Sequence, residues 1–504
     1  MHMITGRPRA ALAAVVTTLL LAGCGGGGSA AGGPTLSWAV DFPAHWDPVV
    51  QGSGAGFRVL SLVYASLTEI DENGGARPGL AESWTYNETG DQITFHLRPG
   101  LTFSDGTPVN ADAVRQYLER ARHQEDSALD GDLGSIASVT ADGELDVVIG
   151  LTQVDYQIPL LLGQRVAQIT SPTAAQDLDR LDQWPVGAGP FVVTELVPES
   201  HVVLEKNPAY WDAANIHIDR VEVHDAPDAA SVVSAVSTGV YDLAPLAPSQ
   251  AQAARAAGLD VVEQPGFNAA NISLNTNKAP FDDPAVVEAV RHAVNRQEFV
   301  DKITFGLAQP TTQPFPPQYV AYDPQSADLW PYDPDRARQI LADAGYAPGD
   351  IRVELVARAE DPQSEIIQSQ LGAIGITVDI RVSPDWATPF FAKDLALSWY
   401  STTGRESPVQ TLTAHFGPEG PLNLSSPATP PGFAEAVALA RSTPLDSPDY
   451  QANLQAATRA GLQSGALVFT YSLPNLFVKN PRVGDLPRIP GQVHWTGVRL
   501  EDEL

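Results

Sequence analysis

Gly90-Asp91-Gln92-Ile93-Thr94-Phe95-His96-Leu97-Arg98-Pro99-Gly100-Leu101-Thr102-Phe103-Ser104-Asp105-Gly106-Thr107-Pro108-Val109-Asn110-Ala111-Asp112 carries three structural signals in succession. Asp91 to Arg98 alternates polar and apolar side chains, the period-two pattern of a half-buried strand. Pro99-Gly100 turns the chain, and Leu101 to Phe103 is expected as a brief second strand. Asp105-Gly106 and Pro108 shape another turn that delivers Asp112 as a candidate helix cap. The helix is expected from Asn110 or Ala111 to about His123, with Val114, Tyr117 and Leu118 on one face.

Outward from this stretch, strands and helices alternate. Thr35 to Val40, Leu145 to Leu151, Gly189 to Val197, His201 to Lys206 and Ile218 to His224 read as strands. Helical spacing marks Val59 to Tyr64, Asp228 to Ser237 and Ser249 to Ala257. Pro284 to Phe305 is expected as one long helix, and Pro334 to Ala344 as another that stops at Gly345. A strand (Arg352 to Ala357), a helix (Ser364 to Ile374) and a strand (Thr377 to Val382) follow. No repeat of 20–50 residues is present, so the class is α/β with mixed sheets.

The amino-terminal text has another purpose. Arg7 and Arg9 precede an apolar run from Ala10 to Leu21, and small residues follow, as in an export signal. Leu21-Ala22-Gly23-Cys24 resembles a bacterial lipobox, in which the cysteine is lipidated and becomes the first mature residue. Residues 1–23 are therefore expected as a lipoprotein signal peptide and 24–33, rich in Gly, Ser and Ala, as a flexible tether. The apolar run is shorter than the ~20 residues that span a bilayer.

Cys24 is the only cysteine among 504 residues, which excludes an intramolecular disulfide and a thiolate zinc site. Thirty basic residues against 60 acidic ones, a net charge of −30, argue against a nucleic-acid partner. No Gly-x-Ser-x-Gly, His-Glu-x-x-His or phosphate-loop motif is present, and His415 and His494 stand alone in apolar surroundings. No catalytic residues, metal site or cofactor are expected.

Four blocks, in order, resemble the extracellular solute-binding family 5, the peptide- and nickel-type receptors of ABC importers. They are the opening stretch; Gly187-Ala188-Gly189-Pro190-Phe191 with Leu204 to Trp211; Asn275 to Asp283 with the helix after it; and Tyr332-Asp333-Pro334 to Tyr346. The resemblance implies a two-lobed periplasmic-binding-protein-like fold (type II, cluster C) with an extra small α/β subdomain. Lobe one would take residues 34–59, 171–264 and 478–504, the subdomain 60–170, and lobe two 265–477. Ligand would lie in the interlobe cleft of a monomeric receptor, which would hand it to the transmembrane subunits of a permease. The location would be the extracytoplasmic face of the cell membrane, held by lipid on Cys24.

In peptide-binding relatives, the loop after a Trp-containing strand carries an aspartate that pairs with the ligand's α-amino group. Here that loop is Ser398-Trp399-Tyr400-Ser401-Thr402-Thr403-Gly404-Arg405-Glu406-Ser407-Pro408, with Thr403 in the aspartate's place and Glu406 its only acid. A shifted loop would let Glu406 hold the ammonium. Arg165 stands where anion- and chelate-binding relatives place arginine, and with Arg405 it would suit a ligand carboxylate. Trp399, Tyr400, Trp386 and Phe42 are candidate apolar walls. The leading ligand is a peptide or peptide-like solute; the alternative is an anionic metal chelate or opine-like conjugate.

Overall fold

Leu36, Trp38, Ala39 and Val40 are all at most 1% exposed, so the strand Thr35–Val40 is covered on both faces. In the computed structural model, which describes residues 33–501 apart from 53, 403 and 492, this strand is the middle of a seven-stranded sheet. The sheet order is Asp260–Gln264, Asn475–Lys479, Leu243–Pro245, Thr35–Val40, Arg220–Asp225, His201–Lys206 and Phe191–Val197. The signal peptide, Cys24, nearly all of the tether and Thr403 lie outside the described residues.

A six-stranded sheet runs Gln309–Pro310, Leu467–Ser472, Ala269–Leu274, Leu397–Thr402, Ile351–Ala357 and Ile376–Val382. The chain crosses between the two sheets twice, through residues 265–268 and 473–474. Strands flanking these crossings pair on both sides, Gln264 with Asn475 and Ala269 with Ser472. Asn475 Oδ1 accepts from Asn268 Nδ2 at 3.0 Å and from Arg58 Nη2 at 2.9 Å, which ties the two crossings to each other and to the helix Gly54–Val63.

The opening stretch forms its strand at Gln92–Leu97, but its ladder partners are Ala81–Tyr86 and Asp146–Leu151, not Leu101 to Phe103. Three residues before a tight turn offer almost no ladder, and Thr102 makes a single bridge to Pro108. The longer strands instead set Val147 and Ile149 opposite Phe95 and Ile93, all fully buried. Ile136–Asp142 completes this four-stranded antiparallel sheet. The helix Ala111–His123 packs on it through Val114, Tyr117 and Leu118. Its cap is Asn110, whose Oδ1 accepts from Ala113 N at 2.9 Å; Asp112 is in the first turn and pairs with Arg115.

The expected long helix is also two. Pro284–Ala293 ends before Val294-Asn295, and Arg296–Ile303 restarts with Asn295 Oδ1 accepting from Glu298 N. Gln370 stabilises the break by accepting from Asn295 N and donating to Asn295 O. The Asn-x-x-Glu spacing is a start signal inside an otherwise continuous apolar pattern.

Two buried histidines make stability depend on pH. His415 donates from Nδ1 to Thr411 O at 2.8 Å, and burial pushes its pKa down to about 4. Burial, then the charge of Arg77, pushes His494 down to about 3. Both are neutral in the fold. Below the ordinary value of about 6.5 the unfolded chain binds protons the folded chain refuses, so stability falls as pH drops from there toward about 4. Urea titrations at pH 7 and pH 5 are expected to show His415→Gln losing about 2 kcal/mol less than wild type over that interval. An unchanged difference would contradict the buried neutral ring.

Candidate functional site

The site forms where the subdomain carrying the four-stranded sheet meets the lobe built on the six-stranded sheet. Arg165 begins the short 3-10 turn Arg165–Ala167. Its Nη2 donates to Asp132 Oδ2 at 2.5 Å, and its Nε lies 3.8 Å from Glu406 Oε1. The guanidinium sits 5.5 Å from the centre of the Phe57 ring. Burial alone would lower its pKa, but Glu406 and Asp132 outweigh that and raise it. Arg165 is thus a permanently charged group already engaged by two carboxylates.

Glu406 immediately precedes the helix Pro408–Phe416, which Ser407 caps by accepting from Gln410 N at 3.3 Å with proline in its first turn. Its side chain is 9% exposed, and Oε2 has no hydrogen-bond partner among the described residues. Ser407 Oγ donates to Gln157 Oε1 at 3.2 Å, and the hydroxyl of Tyr450 donates to the same oxygen at 3.0 Å. Gln410 Nε2 donates to Asp132 O, and Tyr156 N donates to Arg441 O. These bonds fasten subdomain to lobe around the Glu406 carboxylate.

Arg405 meets the same Asp132 carboxylate from the more exposed side. Its guanidinium is 3.6 Å from Asp132 Oδ2 but about a third exposed, and it lines a separate cavity of about 640 Å³ with Gln410 and Arg441. Burial, then the charge of Arg165, lowers its pKa.

The aromatic walls separate into different environments. Tyr400 is 6% exposed, stacks edge-on with Phe390 and donates to Leu422 O at 2.8 Å. Trp399 packs on the opposite face of the strand and donates to Ser364 Oγ at 2.9 Å. Tyr400 belongs to the buried core, whereas Trp399 is partly buried against the neighbouring cluster and Ser401 on the same strand is exposed. Trp386 packs beside Phe390 in the same core. Phe42 lies half-buried after the strand Thr35–Val40, edge-on to Trp46 at 6.2 Å, with its N–H on Asp225. The structure therefore brings together Arg165, Glu406 and Arg405, the two arginines sharing Asp132, and adds Asp132, Gln157, Phe57 and Tyr450, which no local motif marks.

Among the described residues no three His, Cys, Asp or Glu side chains gather as a metal site, and no helix is long and apolar enough to cross a membrane. Residues 75–421 match the model of the bacterial extracellular solute-binding proteins, family 5 Middle. The chain belongs to that family. It is a solute-binding receptor of the ABC-importer type and not an enzyme. A di/tripeptide-binding protein of Pseudomonas aeruginosa is 30% identical over 383 residues, 68% of this chain and 71% of the relative. A heme-binding protein of Haemophilus influenzae is 29% identical over 381 residues, 68% of this chain and 69% of the relative. The periplasmic binding protein of Helicobacter pylori solved with a bound peptide superposes with a TM-score of 0.79 at 22% identity, covering 94% of this chain and 98% of that one. The family 5 receptor has the expected two-lobed binding-protein fold.

Proposed function

We propose that this family 5 receptor captures peptides or peptide-like solutes, and that Glu406 holds the ligand's α-ammonium group. The observation that carries the reading is Glu406 Oε2, a buried acceptor with no partner among the described residues. A buried carboxylate oxygen without a donor costs free energy that an incoming ammonium recovers. The anionic-ligand reading is weaker, since Asp132 and Glu406 already engage Arg165 and Arg405 lines the outer cavity. The di/tripeptide-binding relative favours the same choice.

Lobe one would comprise 34–59, 171–264 and the C-terminal segment from 475 rather than 478, because Asn475–Lys479 pairs within the seven-stranded sheet; the two crossings would join it to lobe two, with 60–170 as the subdomain. Closure buries solute only if ligand prefers the closed form. The receptor would act as a monomer that presents both lobes to permease subunits, tethered to the membrane through lipid on Cys24. Cys24→Ser is expected to leave the signal peptide uncleaved and to abolish incorporation of labelled palmitate; retained labelling would refute the anchor.

The test of ligand class is a parallel calorimetric titration of Arg405→Ala and wild type with a tripeptide. Affinity is expected to stay within about 3-fold, as for a partly exposed charge outside the contact. A loss of 100-fold would move the site to Arg405 and favour the anionic ligand.

A further inference from the structure

Beside the Glu406 cluster, the seam between the four-stranded sheet and the second lobe opens into a cavity of about 680 Å³. Trp84, Tyr86, Tyr156 and Leu160 wall it from the subdomain, and Tyr319 and Tyr450 from the lobe. The wall is set firmly. The Tyr86 and Tyr156 rings are 4.5 Å apart, and the Tyr86 hydroxyl donates to Asp155 O at 2.8 Å. Gly74, at φ +82°, lies flat against Tyr319, where a Cβ would come within 2.7 Å of the ring.

This cavity is built onto the amine site. Tyr450, in its wall, donates to the Gln157 oxygen that also receives Ser407, the neighbour of Glu406. Two further polar atoms at this junction have no partner among the described residues: the Tyr319 hydroxyl and Gln157 Nε2. Tyr319 is 7% exposed and Gln157 2%. Leaving buried donors unpaired is costly, so these two, near the unpartnered Glu406 Oε2, mark where a ligand supplies acceptors. Burial and the nearby Tyr450 and Glu406 hold the Tyr319 hydroxyl in its neutral, proton-donating form.

We infer that a peptide anchored at Glu406 passes Tyr319 and Gln157, which donate to its backbone carbonyls, and seats a large apolar or aromatic side chain in the 680 Å³ cavity. The inference rests on the peptide reading above and names its specificity. A space walled by Trp84, Tyr86, Tyr156, Tyr319 and Tyr450 rewards apolar area.

The test is calorimetric titration of the purified protein with Gly-Gly-Gly, Gly-Phe-Gly and Phe-Gly-Gly. One of the phenylalanine peptides is expected to bind at least about 10-fold more tightly than triglycine. Leu445 also lines the cavity. Leu445→Trp should fill it and bring the phenylalanine peptides down to the affinity that triglycine shows for the same variant. Tyr319→Phe, which keeps the ring, should weaken all three peptides by about 5-fold and keep the preference. Equal affinities for the three peptides, or a preference that survives Leu445→Trp, would overturn the inference. Triglycine binding that depends on Glu406 with no gain from phenylalanine would overturn it alone. If no peptide binds, the peptide reading falls and this inference with it.

Discussion

Replacing Glu406 by glutamine lowers the affinity for a free-amino peptide by about 30-fold to several thousand-fold, the range for losing one partner of a buried charge pair. Glutamine keeps the size of the side chain, so the walls formed by Ser407 and Gln157 stay in place. What it removes is the negative charge at Oε2, and an ammonium held there would lie buried without its counter-charge. Arg165 keeps its bond to Asp132, so the subdomain-to-lobe contact does not depend on the substituted group alone. The same titration with an N-acetylated peptide separates charge pairing from general damage. Wild type should bind the capped peptide about as poorly as Glu406→Gln binds the free one, and the variant should no longer distinguish the two. Equal affinity of wild type and variant for the free peptide would remove Glu406 from the site.

The second large effect is on stability. Asp47, 3% exposed, receives both Arg120 Nη1 at 2.6 Å and Nη2 at 2.8 Å, and its Oδ1 also accepts from Val49 N. The pair fixes the segment after the strand Thr35–Val40 to the helix Ala111–His123, and so joins the seven-stranded sheet to the subdomain. Burial works against the charge of Arg120, and its bond to Asp47 more than offsets that, leaving its pKa raised. Asp47→Ala strands the guanidinium in a site 14% exposed and is expected to cost about 3–5 kcal/mol in urea denaturation. Adding Arg120→Met removes the stranded charge, and the double variant should recover most of the loss. A single variant within 0.5 kcal/mol of wild type, a margin typical of surface changes, would show the pair to be dispensable.

Legibility of the fold followed from local pattern. The strand Gln92–Leu97 and the helix Ala111–His123 stand where period and turn chemistry put them. The pairing of Gln92–Leu97 did not, because ladder partners are chosen by burial across distant segments, and Leu101 to Phe103 merely lay nearest in sequence. The break at Asn295 had a readable signal in Asn-x-x-Glu, hidden by apolar residues on both sides. At the site, Arg165 and Glu406 were singled out by position, and the structure sets them 3.8 Å apart. Asp132, Gln157 and Tyr319 carried no such mark. Gln157 meets Tyr450 across 293 positions of sequence, a contact no spacing encodes. Trp399 and Tyr400 illustrate a different difficulty: Tyr400 packs in the core and Trp399 is partly buried on the other face of its strand, and composition cannot tell core aromatics from a ligand wall.

The most direct test of a peptide receptor with an amine-binding carboxylate is to see what the protein carries. The protein is purified from cells grown in peptide-containing medium and denatured, and the released small molecules are identified by mass spectrometry. The expected result is short peptides with a free primary amine, absent from Glu406→Gln prepared in parallel. Recovery of an amine-free, carboxylate-rich chelate or conjugate, at equal yield from both proteins, would contradict it.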